Sequence, residues 1–289
     1  MRNLLEYIFF LFLSKLIMLW GINNSRKFSS VLAIFFFYIV PIRKFTTIEN
    51  LKIAFPDLND DGIKKIAYKS YKSFCTTLIE ILHMPAMTND EIKKQVNCMN
   101  SELIKNKYDE HKGVILLSAH FGNWEYVATS VAAQLNLPFS VVVKAQRNPY
   151  VTKWLNKMRV KWNNKIIPLG ISIRQTYETL KNKNIVAMVA DQRGPEEAIK
   201  VRFFGRDVSV HTGPAILAVK TGAPILYGIP VRKTDYFYET TMTEISTDDL
   251  PESYKDKIKE VSQRHMSYLE TYIRRYPEQW LWMHKRWKY

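Results

Sequence analysis

The stretch from Gly113 to Gln134 constrains the fold more than any other part of the sequence. A four-residue apolar run at 114–117 follows a glycine, which is typical of a buried parallel strand. The residues from Glu125 to Gln134 can continue as a helix, so the polar residues between the two segments occupy a strand-to-helix turn. His120 lies in this turn, where α/β proteins place their ligands and their chemistry.

His120 and Glu125 form a candidate catalytic pair. Five positions separate them, and on one ideal helix that spacing places two side chains about 140° apart. They can meet if His120 precedes the helix and Glu125 lies in its first turns, with Gly122 supplying the backbone freedom for the turn. A carboxylate beside a histidine fixes its tautomer and stabilises the imidazolium during general-base catalysis. The alternative from spacing alone is a core histidine that caps a helix.

Alternating strand and helix patterns after this turn predict an α/β fold with a mostly parallel central sheet flanked by helices. The segment at 59–83 has a helical pattern with an acidic first turn and a proline just beyond its end. The predicted strands are 139–143, 166–167, 185–190, 224–231 and 236–245, with a hairpin at 200–210. The further predicted helices are 91–97, 149–161, 170–181, 215–221 and 251–275.

The first 45 residues are apolar, aromatic and interrupted by charge. Residues 1–20 contain Glu6 and Lys15, and a central lysine opposes membrane insertion by about 2.5–3.5 kcal/mol. No small-residue cleavage pattern follows, so a removed signal peptide is not predicted. With the second apolar run at 31–42, this segment is predicted to form a membrane-anchoring or interfacial hairpin, basic residues at 26–27 and 43–44 meeting anionic headgroups. Two helices packed on the protein remain the alternative. The predicted division is therefore 1–45 and one domain at 46–289.

The composition indicates which classes of binding partner suit the protein. The 42 Lys and Arg exceed the 27 Asp and Glu, for a net charge of +15, which suits anionic lipids or an acidic carrier protein. The basic residues are dispersed and no nucleic-acid-binding motif is present, so no nucleic-acid partner is predicted. The two cysteines, Cys75 and Cys98, are predicted to be free thiols. Serine-hydrolase, P-loop, dinucleotide-binding and zincin motifs are also absent, and no metal or cofactor is predicted.

His-Phe-Gly-Asn-Trp-Glu at 120–125 resembles the His-x4-Asp/Glu signature of the lysophospholipid acyltransferase superfamily, in the form typical of the bacterial lipid A late acyltransferases. Further blocks resemble that family in the same order: Ala190-Asp191-Gln192, Phe203-Phe204-Gly205, Thr212-Gly213-Pro214-Ala215, Thr221-Gly222-Ala223-Pro224 and the tail from Pro277 to Trp287. The resemblance covers the chain from about Asn50 to its end. It implies a glycerolipid acyltransferase-like fold and an acyltransferase that uses His120 as general base and Glu125 as its partner.

The resemblance also implies a set of substrate-binding residues. Arg159 lies where the family keeps an arginine, and it would bind an anionic part of a substrate. The block at 191–193 would form the acceptor side, with Arg193 holding a phosphate and Asp191 orienting it or a substrate hydroxyl. Gln192 and Asn123 complete the predicted binding set. Related enzymes that act on glycerol phosphate carry Glu-Gly-Thr-Arg at 191–194, so this site does not resemble theirs.

The resemblance implies a reaction that transfers a fatty acyl chain from an acyl carrier protein thioester to a hydroxyl of a lipid A precursor, at the cytoplasmic face of the inner membrane. Membrane phospholipid is a further predicted partner. An apolar tunnel that holds the chain is predicted to be lined by some of Phe121, Trp124, Phe203, Phe204 and the C-terminal tryptophans. The alternatives are an acyltransferase for another lipid acceptor, using acyl-CoA or acyl carrier protein, and a non-catalytic lipid-binding relative.

Overall fold

A computed structural model of the chain describes residues 1–170 and 172–288. The α-helices, in chain order, are α1 (Arg2–Trp20), α2 (Ile22–Ile34), α3 (Lys44–Ala54), α4 (Asp60–His83), α5 (Asn89–Lys94), α6 (Glu102–Asp109), α7 (Trp124–Leu135), α8 (Pro149–Val160), α9 (Ser172–Lys181), α10 (Gly213–Thr221) and α11 (Tyr254–Arg275). The strands are β1 (Val96–Cys98), β2 (Val114–Ser118), β3 (Phe139–Val143), β4 (Lys165–Pro168), β5 (Ile185–Val189), β6 (Lys200–Phe203), β7 (Arg206–Ser209), β8 (Ile225–Gly228), β9 (Val231–Arg232), β10 (Tyr238–Thr240) and β11 (Met242–Ile245).

The central sheet has six strands in the order β11-β8-β2-β5-β3-β4. The pairings of β8, β2, β5, β3 and β4 are parallel, and β11 joins β8 in antiparallel fashion at one edge. A three-stranded sheet, β1-β10-β9, and the hairpin β6-β7 flank it. The predicted mostly parallel sheet is confirmed, and the carboxyl ends of β2, β5 and β8 lie at one edge of it.

Both faces of the central sheet are covered, which explains the continuous apolar sequence of β2. Ile115 and Leu117 belong to a core cluster that also contains apolar residues of α10 and α11. Val114 and Leu116 belong to a second cluster, together with residues of α7 and α8. Successive side chains of a strand point to opposite faces, so this one strand contributes to two cores.

The long helix α4 is predicted well by its local signals. Asn59 caps it, since its side-chain oxygen accepts a hydrogen bond from the Gly62 amide at 2.9 Å. Its other side contacts the N-terminal segment: the Ser14 hydroxyl of α1 donates to the Leu82 carbonyl at 2.9 Å. The helix therefore lies between the N-terminal segment and the sheet.

Three predictions about secondary structure are wrong in detail. The strand predicted at 224–231 ends at Gly228 as β8, and Val231 begins β9 in a different sheet. The helix predicted at 91–97 ends at Lys94, and strand β1 follows it; a capping box between Thr88 and Glu91 starts the helix earlier. The strand predicted at 236–245 is two strands in different sheets. Asn100 fastens the chain where it changes sheet, because its side-chain amide binds the amide and the carbonyl of Met242, each at 2.8 Å.

The N-terminal segment is helical throughout its apolar part. α1 is long and apolar enough to cross a membrane, and 6% of its apolar window is buried in the protein. The second predicted apolar run forms the end of α2 and a short π-helix, Phe35–Ile39, and the chain bends by 95° before α3. One side of these helices packs on the protein, and the other carries exposed apolar side chains.

Candidate active site

His120 lies just beyond the carboxyl end of β2, and Asp191 lies just beyond the carboxyl end of β5. The two strands are parallel neighbours with Ser118 opposite Val189, so both residues leave the sheet at the same edge. The imidazole Nδ1 of His120 is 2.8 Å from Asp191 Oδ1, and the His120 main-chain amide donates to Oδ2 at 3.1 Å. Asp191, predicted on the acceptor side, is therefore the carboxylate that holds the histidine.

The predicted pairing of His120 with Glu125 is replaced by a different ion pair. Glu125 occupies the first turn of α7, and both of its carboxylate oxygens bind Arg159 of α8, at 2.9 Å from Nε and 2.5 Å from Nη2. Within the described residues, no hydrogen bond joins Glu125 to His120. Side-chain exposures of 11% for Arg159 and 7% for Glu125 make this a buried, bidentate pair.

Asp191 is held by three hydrogen-bond donors although it is 2% exposed. Besides the two groups of His120, the indole Nε1 of Trp280 donates to Oδ2 at 2.9 Å. Burial alone would raise the pKa of Asp191, but the charge and hydrogen bonds of His120, together with the Trp280 hydrogen bond, outweigh it and lower the pKa to about 2. Asp191 is consequently an anion at neutral pH.

The imidazole of His120 is held by Asp191 through Nδ1, and part of the ring is accessible. Burial lowers the pKa of His120, but the charge and hydrogen bond of Asp191, with a further contribution from the charge of Glu125, raise it above its ordinary value of 6.5. An ionised Asp191 favours the tautomer with the proton on Nδ1, which leaves the Nε2 lone pair available. The side chain is 19% exposed, and its ring meets Trp124 edge-on at 4.9 Å.

A small cleft beside His120 lies between α4, the start of α7 and the C-terminal tail. Its volume is about 10 Å³, the space of about one water molecule. Polar groups of α4 line one part of it, and three half-buried apolar side chains, Phe74, Trp124 and Leu281, line another. A proton acceptor, hydroxyl groups and apolar surface therefore meet at one point.

The aromatic residues predicted to line an acyl tunnel form a packed cluster instead. Phe121, Phe203 and Trp282 are each fully buried. Phe203 contacts Phe204 edge-on at 4.9 Å, and Trp280 contacts Trp282 edge-on at 4.7 Å. The tunnel prediction is wrong for these residues because their rings fill the core with one another. Of the predicted set, Trp124 remains beside His120 at the cleft.

The C-terminal tail holds the loop that carries His120. The Gly122 amide donates to the Gln279 carbonyl at 2.9 Å, and the Leu281 amide donates to the His120 carbonyl at 3.0 Å. Gly122 has a φ of +49°, and a Cβ atom there would lie 2.3 Å from the Pro230 carbonyl oxygen. A glycine is thus required for both conformation and space. The tail therefore packs on the core and positions this loop.

The remaining predicted binding residues are Asn123, Gln192 and Arg193. Asn123 is fully buried. Its side-chain Oδ1 caps α7 by accepting a hydrogen bond from the Tyr126 main-chain amide at 3.1 Å, and its side-chain Nδ2 donates to Glu80 at 3.0 Å. Substrate binding by Asn123 gains no support from this arrangement. Gln192 is half-buried beside Asp191. Arg193 contacts the tail, since its Nη1 donates to the Lys285 carbonyl at 3.0 Å.

Glu80 of α4, which the sequence did not single out, connects the N-terminal segment to the His120 loop. Its carboxylate is fully buried and accepts from Arg26 Nε at 3.0 Å, from the Tyr238 hydroxyl at 2.5 Å and from Asn123. Trp280 was named from the sequence only among the C-terminal tryptophans, and its hydrogen bond to Asp191 was not predicted. The Pro-Glu-Gln-Trp block was the one signal that could have pointed to Trp280.

Comparison with known proteins identifies the family of the chain. The family model for bacterial lipid A biosynthesis acyltransferases matches residues 1–289. The palmitoleoyltransferase and the lauroyltransferase of lipid A biosynthesis from Escherichia coli (strain K12) are each 24% identical, over 248 and 244 residues, and each alignment covers 83% of this chain and 77% of the relative. A phosphatidylinositol mannoside acyltransferase of Mycolicibacterium smegmatis is 23% identical over 173 residues, which are 58% of this chain and 55% of the relative. The chain belongs to the bacterial lipid A biosynthesis acyltransferases, a family of acyltransferase enzymes.

Proposed function

We propose that the protein transfers a fatty acyl chain from an acyl carrier protein thioester to a hydroxyl of a lipid A precursor, at the cytoplasmic face of the inner membrane. The observation that carries this proposal is the 2.8 Å contact between His120 Nδ1 and Asp191 Oδ1 at the carboxyl edge of the sheet. A histidine held in this way, with its other nitrogen available, is a general base for a substrate hydroxyl. Family membership supplies the reaction class.

In the proposed reaction, His120 Nε2 removes the proton of the acceptor hydroxyl while the hydroxyl oxygen attacks the thioester carbonyl carbon. A C–O bond forms, the C–S bond breaks, and the imidazolium returns its proton to the departing thiolate. Asp191 stabilises the imidazolium throughout, because it is already ionised when the histidine acquires its charge. No acyl-enzyme intermediate is part of this scheme.

The carbonyl oxygen becomes an anion during the attack and needs donors. Backbone amides near Gly122 and at the start of α7 are the candidates, but the Gly122 amide already donates to the Gln279 carbonyl. We therefore assign the role to the first-turn amides of α7, at Trp124 and Glu125, which follow the His120 loop directly. Glu125 and Arg159 then support the reaction by fixing this helix against α8.

The proposed location and partners follow from surface and charge. The exposed apolar side chains of the first 45 residues suit a lipid surface, and the net charge of +15 suits anionic headgroups and an acidic carrier protein. The cleft at His120 is too small to enclose an acyl chain. The apolar side chains along the cleft would therefore receive the chain as it approaches from the lipid phase.

A second acceptor class is favoured by the match to the mannoside enzyme, which covers 58% of this chain. In that alternative, the same His120 and Asp191 act on a hydroxyl of a mannosylated phospholipid. The donor could equally be acyl-CoA, since the thioester chemistry is the same. These alternatives differ in substrate and not in the role of His120.

The experiment uses purified full-length protein in detergent micelles, with acyl carrier protein thioesters or acyl-CoA as donor. A lipid A precursor and a phosphatidylinositol mannoside are supplied in parallel, and product mass is followed. We expect the lipid A precursor to gain one acyl unit, and His120→Ala to reduce the rate by at least about 10³-fold, as expected for the loss of a general base that also orients the reaction.

The control variant is His111→Asn, which changes an exposed histidine in a loop with a φ of +59°, a conformation that asparagine tolerates. It should retain the full rate. If only the phosphatidylinositol mannoside gained an acyl unit, the acceptor would belong to the second class. Absence of transfer with every donor and acceptor, or full activity of His120→Ala, would contradict the proposed function.

A further inference from the structure

Helix α1 is attached to the rest of the protein along most of its length. The Asn148 side-chain amide donates to the Asn3 carbonyl at 2.7 Å, and one turn later Arg147 binds Glu6 at 2.9 Å. Near the other end, the Ser14 hydroxyl donates to Leu82 of α4 at 2.9 Å. These contacts extend over about 16 Å of helix at 1.5 Å per residue.

Aromatic contacts occupy the middle of the same side. Tyr7 stacks on Tyr150 at 5.4 Å, and Phe10 meets Trp154 edge-on at 5.0 Å. Residues 3, 7, 10 and 14 follow the spacing of a single helical face. Both partner rings belong to α8, so α1 is packed along α8 as well as on α4.

The opposite face of α1 is apolar and exposed. Its large side chains are between 44% and 87% exposed: Leu5, Ile8, Phe9, Phe12, Leu16, Leu19 and Trp20. Lys15 lies near one edge of this face, about 60° from Phe12 and beside the exposed Leu4 on a helical projection with 100° per residue. The charge that interrupts the apolar sequence is therefore placed at the edge, where a long side chain reaches headgroups.

Helix α2 and the π-helix extend the same surface. α2 packs on α4 through Ser25, Arg26, Ser29 and Ala33, whose small or hydrogen-bonded side chains permit close approach. The outward side chains of this part are also apolar and exposed by 40% to 67%: Phe28, Val31, Ile34, Phe35, Tyr38 and Ile39. Exposed apolar surface of this extent marks an interaction site.

We propose that α1 does not cross the membrane but lies in its plane, docked on the catalytic domain, with its outer face inserted into one leaflet of anionic phospholipid. A crossing α1 would either break the contacts with α8 and α4 or draw α8 into the hydrocarbon. α8 carries Lys153 and Lys157, and each lysine at the centre of a bilayer opposes insertion by about 2.5–3.5 kcal/mol. An in-plane helix keeps every contact and buries only the apolar face.

A lipid leaflet fits this surface better than a protein partner because of its chemistry. The exposed face is mostly apolar, its tyrosine and tryptophan side chains prefer the membrane interface, and its exposed polar side chains include Asn23, Asn24 and Lys27 of α2 and Lys15 of α1. Exposed basic residues, Arg2, Lys15, Lys27 and Arg43, border it. A net charge of +15 adds attraction to an anionic leaflet.

The orientation has a consequence for the substrate path. Phe74, Leu78 and Leu82 are spaced by four residues on α4 and form an apolar ridge about 12 Å long. One end of the ridge lines the cleft at His120, and the other end contacts α1. A leaflet at the level of α1 would thus supply acyl chains along this ridge.

The test measures the depth of three spin labels, introduced one at a time as Leu5→Cys, Phe12→Cys and Leu19→Cys. The full-length protein is reconstituted with vesicles of phosphatidylethanolamine and phosphatidylglycerol, and Lys259→Cys on α11 gives the aqueous reference. The native thiols, Cys75 and Cys98, are buried and should remain unlabelled, as unsubstituted protein will verify. We expect equal, shallow depths at all three sites, about 5–10 Å below the headgroups.

A label at residue 12 near the centre of the bilayer, about 15 Å deep, with residues 5 and 19 near opposite surfaces, would overturn the proposal. Exclusion of all three labels from the lipid would overturn it as well and would favour a protein partner. A second variant pairs Tyr7→Cys with Tyr150→Cys, joined by a short thiol cross-linker. Linked protein should still bind vesicles; loss of vesicle binding on linking would contradict docking in the membrane-bound state.

The inference rests on the proposed membrane location and on no part of the acyl transfer chemistry. The depth measurement uses neither donor nor acceptor. Its failure is therefore distinguishable from failure of the proposed function, which the mass assay decides.

Discussion

Two buried carboxylates beside the His120 loop, those of Asp191 and Glu125, pair with different basic side chains. Asp191 binds His120, whose charge changes near neutral pH, whereas Glu125 binds Arg159, whose charge is fixed. Only the first pair can alternate between a neutral and a charged partner during a reaction. The comparison teaches that proximity in the sequence did not identify the carboxylate that binds the histidine, and it favours a scaffold role for the pair of fixed charge.

Asp191→Asn should have the largest effect on catalysis. The amide keeps the shape of the side chain but loses the charge that stabilises the imidazolium, and the corresponding change in serine proteases reduces kcat about 10⁴-fold. We expect a loss of about 10³- to 10⁴-fold in kcat/KM, measured with saturating donor. A loss larger for Glu125→Gln than for Asp191→Asn would reverse the assignment of the two carboxylates.

The pH profile of the same variant sharpens the test. His120 acts as a base when neutral, so activity should rise with pH through its pKa, which lies above 6.5 in the native protein. Asp191→Asn removes the main charge that opposes burial, so the acidic limb of kcat/KM should move to lower pH. Glu125→Gln should move it in the same direction by less. An unchanged limb in Asp191→Asn would contradict the pairing.

Arg159→Met should affect stability more than chemistry. The substitution leaves the Glu125 carboxylate buried without its cation, and breaking such a pair lowers the free energy of unfolding by about 3–5 kcal/mol. Equilibrium denaturation in detergent measures the change. Adding Glu125→Gln to Arg159→Met should restore part of the stability, because the unpaired charge is then gone. Native stability of Arg159→Met, with lost activity, would instead indicate that Arg159 binds substrate.

Trp280→Phe should have the smallest of these effects. It removes one hydrogen bond to the charged Asp191 and retains most of the ring packing, which predicts a loss of about 1.5–3 kcal/mol in the free energy of unfolding and a smaller loss in kcat, with KM unchanged. Trp282→Phe is the matched control, because the Trp282 indole donates to the Pro277 carbonyl. Equal losses in the two variants would show that only packing is involved.

The sequence predicted the residues of the site better than their pairing. β2, β5, α4 and α8 carry strong local signals, and His120, Glu125, Arg159 and Asp191 were all singled out. The two pairings depend on neighbouring elements: Asp191 reaches His120 across the β2–β5 register, and Arg159 reaches Glu125 from α8. Motif spacing reports distances along the chain, so it favoured the nearer carboxylate.

The tunnel prediction failed for a different reason. Phe203, Phe204 and Trp282 have the composition of an apolar channel, but composition does not specify whether rings line a space or fill it. Packing of rings against rings is decided by three-dimensional fit. The same limit applied to Glu80, whose fully buried carboxylate has no distinguishing pattern in the sequence.

The contact between Arg26 and Glu80 has a practical consequence for handling the protein. Deleting the first 45 residues to obtain a soluble fragment would remove Arg26, the nearer of two cations beside a carboxylate that also holds Asn123, and would leave Arg232 at 3.7 Å. We expect such a fragment to lose part of its activity for reasons unrelated to lipid. Polar substitutions on the outward side of α1, for instance at Phe9 and Phe12, offer a route to detergent-free preparations that leaves the interior of the enzyme intact.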